Sequence, residues 1–188
     1  MSNDGVNIVA ALRGLRELCA QIALLLSSAD KLMSRDGWIT IPGGNVYGRL
    51  AYTLAEPRRW IQQDIFRFYK NPKLRHLACF VSVILDDVEQ PHNITVPLLT
   101  AGFFDDGVGN ESGVSEKNFN YSLARWHLNM PNRNDDGNLI QVEHEPTPKE
   151  SFKRVATVAV PLLSITDNQD LQNKIITPLL QAVKEDQI

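Results

Sequence analysis

Two acidic pairs stand where apolar runs end: Asp86-Asp87 after residues 77–85, and Asp105-Asp106 after residues 94–104. Carboxylates gathered at strand ends are the hard oxygen ligands that Mg2+ and Ca2+ take. A nearby imidazole, His92 or His127, would then act as base in a metal-dependent hydrolase or nuclease. Topology decides whether that chemistry exists. Antiparallel neighbours carry the two pairs to opposite ends of a sheet, whereas a parallel crossover brings Asp86, Asp87, Asp105 and Asp106 together.

A partial calcium-loop pattern runs over 132–143. Asn132, Asn134, Asp136, Gly137, Leu139 and Glu143 fall at positions 1, 3, 5, 6, 8 and 12 of the EF-hand spacing. Asn replaces the usual first Asp and Pro131 precedes it, so a turn on Asp136-Gly137 is the plainer reading.

Anion chemistry has its own candidate. Between residues 57 and 75 there are six basic residues against one acid, interleaved with Trp60, Phe66, Phe68 and Tyr69. Arg58, Arg59 and Trp60 there, with Arg49 in the glycine-rich turn 42–49, would offer guanidinium groups to carboxylate or phosphate. An amphipathic helix with a solvated charged side accounts for the same residues, and the turn lacks the Lys-Ser/Thr ending of a phosphate loop. Residues 76–116 are the opposite, with seven acids and no Lys or Arg.

No Gly-x-Ser-x-Gly elbow occurs, and two isolated cysteines, Cys19 and Cys79, give no zinc spacing. Each cysteine reads as a small buried hydrophobe in a reducing compartment. The net charge of -3 supplies no basic field, so nucleic acid is not the expected partner. The longest apolar stretch, residues 22–26, is far shorter than the roughly 18–20 residues that span a bilayer, and the first residues lack a leader pattern. A cytoplasmic protein without a membrane partner is the expectation. With 43% hydrophobic residues, 11 Gly and 10 Pro, the 188 residues suit one globular domain over 1–188.

The elements that must position these groups begin with a long helix. From an N-cap at Asp4, the residues Ile8, Leu12, Leu15, Cys19, Ile22, Leu26, Ala29 and Met33 follow steps of four and three, with Leu18, Leu25 and Leu32 beside them. A helix over 4–34 would be about 45 Å long, against about 40 Å for a compact globule of this size. Either it breaks near Ser27-Ser28 or it reaches a partner. The pattern therefore assigns Leu12, Leu15, Cys19, Ile22 and Leu26 to a homodimer interface.

A short strand at 38–41 should follow, then a helix pair over 46–54 and 57–69. Residues 77–85 are apolar on both alternating faces, as a central strand requires. The run 94–104 contains Pro97 and Gly102 and is expected to be bulged or at an edge. Further strands are expected at 121–128, 139–143 and 155–165. The C-terminal helix should open on a capping box of Thr166 and Gln169 and kink at Pro178. Val-Pro-Leu-Leu occurs at 96–99 and again at 160–163, read as two strands that each carry a proline bulge at a sheet margin.

This order predicts an α+β fold: a mainly antiparallel sheet of about five strands, with the long N-terminal helix, a central helix pair and a C-terminal helix packed on it. With no catalytic constellation and a surplus apolar helix face, the expected function is a non-catalytic, dimeric binding or regulatory module. It needs no cofactor, and its partner is a small molecule or a protein. The alternative is the metal-dependent hydrolase or nuclease, with Mg or Ca at the paired aspartates.

Overall fold

The computed structural model describes residues 3–41, 47–48, 61–87, 90, 94–105, 124–143 and 154–185. Its elements in chain order are α1 (Asn3–Arg35), β1 (Ile39–Ile41), β2 (Tyr47–Gly48), β3 (Asp64–Lys70), β4 (Leu77–Ile84), β5 (Leu98–Asp105), β6 (Ile140–Glu143), β7 (Arg154–Pro161), α2 (Asn168–Leu171) and α3 (Thr177–Glu185). The seven strands form one sheet in the order β1-β3-β4-β5-β7-β6, with β2 beside β1 on β3, and every pairing is antiparallel. The fold is therefore α+β, as the element order implied.

The helix face of the sheet carries Cys79, Val81 and Val83 from β4, Leu99, Ala101 and Phe103 from β5, and Ala156, Val158 and Val160 from β7. Ile22, Leu26, Ala29 and Met33 of α1 pack onto it beside Ile175, Ile176, Leu179 and Val183 of the C-terminal helical run. The opposite face holds a second, aromatic cluster. Phe68 lies edge-on to Phe66, Phe80 and Phe104 with centroids 5.5–6.5 Å apart, the arrangement that the ring quadrupole favours. Ala124, Trp126 and Leu128 lie over this face. Both faces are covered, which is why β4 and β5 are buried along their whole length.

The central helix pair is corrected where it can be seen. Ile65 and Tyr69 stand four apart, which fits a helical stripe but equally fits one face of a strand, since four is a multiple of two. Asp64, Phe66 and Phe68 line the other face, and the β-favouring aromatic and branched residues resolve the ambiguity toward β3. Tyr47–Gly48 is extended against Ile65 and Phe66, so no helix covers those two residues. The rest of 46–60 lies outside the described residues.

The run 94–104 is corrected too: β5 is central, between β4 and β7. Pro97 precedes the strand, and Gly102 is there for room. A Cβ at 102 would meet the Ala156 carbonyl at 2.4 Å and the Phe80 ring at 2.7 Å. Glycine lets the two strands and a phenyl ring close over one point. The twin Val-Pro-Leu-Leu segments meet: Leu98 pairs with Pro161, and the Leu162 N–H donates to the Pro97 carbonyl over 2.8 Å. Each proline stands at a strand end, and because β5 and β7 are both inner strands the reading of the two prolines as bulges at a sheet margin is corrected.

Residues 126–129 form a 3-10 turn rather than part of a strand. α1 runs unbroken through Ser27-Ser28 for 33 residues, about 50 Å. The C-terminal run is capped by Asp167, whose carboxylate accepts the Asp170 N–H. The Thr166 hydroxyl and N–H meanwhile bond to the Asp170 carboxylate, so the cap falls one residue later than expected. Just ahead of Pro178 the run widens into a π turn over Gln172–Ile176, which gives the proline ring space that a regular α turn denies it.

Candidate functional site

The antiparallel register of β4 and β5 separates the acidic pairs. Asp105 stands opposite Leu77, and Asp86 and Asp87 lie beyond Ile84, which faces Leu98. At about 3.3 Å per residue the two ends are about 25–30 Å apart, so the shared Mg or Ca site does not form. Asp106 lies outside the described residues, as does His92. Among the described residues no three His, Cys, Asp or Glu side chains converge.

Asp87 and Asp105 have partners within the chain instead. Arg125, buried at the end of the sheet, donates to Asp64 at 3.0 Å and to the Asp86 carbonyl at 3.3 Å, and it pairs with Asp87 at 3.1 Å. Asp64 is fully buried. One guanidinium holds two carboxylates that would be costly to bury alone. At the far end, Asp105 pairs with Arg154, its register partner, at 3.2 Å.

A second buried polar group centres on His127, which has no exposed surface. Its Nδ1 lies 2.9 Å from the Thr157 hydroxyl and its Nε2 lies 3.0 Å from the Asp135 carboxylate, which also accepts from Arg133 at 2.9 and 2.7 Å. Asp135 accepts only, so Nε2 carries the proton and Thr157 donates to Nδ1. Burial pushes the His127 pKa below its ordinary value. Burial also raises the Asp135 carboxyl, but hydrogen bonds from Arg133 and His127 outweigh it and hold the group below the usual carboxylate range. The order carboxylate, imidazole, hydroxyl has the sequence of a nucleophile triad. Thr157 is buried in the sheet with no exposed surface, so the arrangement ties the 131–139 loop to β7.

The calcium-like spacing also resolves into a turn. Asp136 accepts from the N–H and side-chain amide of Asn138 at 3.2 and 2.9 Å, and Gly137 has φ +92. Glu143 is carried away on β6 opposite Arg154.

The basic segment is split by β3. Arg67 is buried and grips Asp30 of α1 through both carboxylate oxygens, at 3.1 and 2.6 Å, while the Tyr69 hydroxyl donates to the same group at 2.9 Å. Burial, reinforced by the Asp30 charge, raises the Tyr69 pKa. Arg49, Arg58, Arg59 and Trp60 lie outside the described residues.

The proposed interface residues divide. Ile22 and Leu26 are each 2% exposed, sealed in the chain's own core, so they are corrected to core positions. Leu12 is 49% exposed, Leu15 and Cys19 are half-buried, and Val6 and Ile8 on the same half of α1 are 66% and 62% exposed. Both cysteines are free, with Cys79 fully buried and its thiol pKa raised by that burial.

Two depressions run beside α1. One, of about 380 Å3, lies between α1 and residues 162–171 and is lined by Leu18, Leu25, Leu163 and Ile165 among others. The other, of about 210 Å3, is lined by Lys31, Arg35, Gln169 and Gln172, and the two share Ser28 and Asn168.

Sequence reasoning missed Asp30, Asp64, Arg125 and Asp135, each of which acts through a partner more than thirty residues distant or at an unforeseen turn. A signal for the polar face was available: Ser82, Thr100 and Thr157 interrupt three apolar strands and share the face under Arg125 and His127. Compared with models of known families, with curated proteins and with solved structures, the chain matches none.

Proposed function

We propose that this chain is a non-catalytic binding or regulatory module that works as a homodimer assembled through α1. The observation that supports it most is the division of one continuous helix. Ile22, Leu26, Ala29 and Met33 are 0–2% exposed, while Val6, Ile8, Val9 and Leu12 are 47–66% exposed. Exposed apolar side chains in such a cluster mark contact surfaces rather than ordinary solvated helix. The polar groups best placed for chemistry support the same reading, since Arg125 and His127 are consumed by partners inside the fold. The free cysteines suit a reducing, cytoplasmic setting.

Sedimentation velocity across a concentration series tests this. A dimer that Leu12→Lys converts to monomer, with the circular dichroism spectrum retained, is the expected result. A chain that stays monomeric up to the highest soluble concentration removes the proposal.

A further inference from the structure

We propose that the two depressions beside α1 form one trough that binds a single-chain fatty acid, its tail between α1 and residues 162–171 and its carboxylate at Lys31 and Arg35. This names a ligand for the binding module and rests on that part of the reading, not on the dimer. The larger depression alone, of about 380 Å3, has the volume of a small-molecule site, roughly 300–1,000 Å3. On α1 its wall belongs to a second stripe beside the core seam, where residues 18, 21, 25, 28, 32 and 35 advance by three and four along one face. The chemistry of the trough changes along this stripe, from Leu18 and Leu25 through Ser28 to Arg35, with Lys31 beside it. Across from it, Leu163 and Ile165 keep the first part apolar, and Gln169 and Gln172 keep the last part polar. Leu24 and Leu163, 66% and 85% exposed, line the apolar part, and a bound hydrocarbon would take their surface out of water.

The charge of the trough selects the head group. Lys31 and Arg35 stand one turn apart, an arrangement in which like charges repel, and among the described residues neither forms an ion pair. Asp167 is the acid among the described lining residues, and its carboxylate accepts the Asp170 N–H at 2.8 Å as the helix cap. Two cations against this one acid leave a surplus of one positive charge, which a singly ionised carboxylate neutralises. Guanidinium and ammonium both donate to carboxylate oxygens. Ser28 and Asn168 line both depressions, and neither side chain hydrogen-bonds among the described residues. A hydroxyl and an amide therefore stand open to the head group where the apolar part ends. Ser28 lies ten residues on from Leu18, about 15 Å of helix, which is room for an extended alkyl chain rather than a short carboxylic acid. A cationic amphiphile meets Lys31 and Arg35 as like charges, and a wholly polar anion such as phosphate leaves the leucines in water.

The test uses the full chain and dodecanoate below its micelle concentration, titrated by isothermal calorimetry at pH 8. One saturable site per chain is expected, weakened about two- to fourfold for each methylene removed on going to decanoate and octanoate. Dodecyltrimethylammonium, with the same tail and the opposite charge, should bind about tenfold more weakly. Lys31→Glu with Arg35→Glu, both exposed, should weaken dodecanoate about tenfold and reverse that preference. Leu24→Asp with Leu163→Asp should weaken dodecanoate by a similar factor, and unchanged circular dichroism shows that each variant is folded. No saturable binding of dodecanoate, equal binding of the two amphiphiles, or unchanged binding in both double variants overturns the inference. So does binding to anionic phospholipid vesicles with none to monomeric dodecanoate. If dodecanoate fails to bind while Leu12→Lys still converts a dimer to monomer, the ligand falls and the dimer stands; binding by a chain that is monomeric at every concentration does the reverse.

Discussion

The two halves of α1 carry the same four-three apolar repeat and end in different surroundings. The second half lies over β3, β4 and the C-terminal helical run, where Asp30 fastens it to Arg67 and Tyr69. The first half extends past the sheet and keeps Val6, Ile8 and Leu12 in solvent. A repeat specifies which face of a helix is apolar; it does not specify what covers that face. Coverage ends where the sheet ends, because about 50 Å of helix exceeds the width of the layer beneath it.

Substitutions can break that contrast or make it sharper. Leu26→Ala, in the covered half, should cost about 3–5 kcal/mol through lost burial and a residual cavity, read from urea unfolding. A loss below about 1 kcal/mol would mean that the second half is not held as described. Asp30→Ala removes the carboxylate that the buried Arg67 and Tyr69 share. Asp30 itself is 29% exposed, so the loss should sit near the lower end of the buried-pair range, about 3 kcal/mol. The same measurement on Asp30→Asn should lose less, because a hydrogen-bond acceptor for Tyr69 is retained.

Acid should act through the other fastening, at His127. Its folded pKa lies below the ordinary imidazole value of 6.5, so the unfolded chain binds the proton more readily. The stability this group contributes is complete above pH 6.5 and is lost as the pH falls through the folded value, at no more than about 1.4 kcal/mol per pH unit. Urea midpoints for wild type and His127→Gln from pH 7.5 down to pH 5 check this. The wild-type curve should be the steeper, and equal slopes would show that His127 does not titrate on unfolding. The smallest effect belongs to the uncovered half: Leu12→Ala in dilute, monomeric protein should change stability by less than about 0.5 kcal/mol.

Among the carboxylates a similar lesson holds. Asp86-Asp87 and Asp105-Asp106 read alike along the chain, yet the pairing of β4 with β5 places Asp87 in a buried contact with Arg125 and Asp105 beside Arg154 at the other end. Neither partner is near its acid in sequence. The local pattern locates strand ends, because acids and turns punctuate apolar runs. It carries no information about which ends lie side by side.

What the sequence alone determined were the features with a local physical cause: the apolar period that makes α1 a helix, the two-sided apolar run that makes β4 central, and the α+β class that their order implies. Only the tertiary structure decided the identity of β3, because a spacing of four satisfies helix and strand alike until neighbouring strands choose. It also decided the central place of β5, where a phenyl ring uses the room that Gly102 leaves. The pairing of Arg125 with Asp64 and Asp87, and the point along α1 where cover gives out, likewise depend on segments that chain order does not make neighbours. Long-range contact geometry sets these, and residue spacing does not encode it.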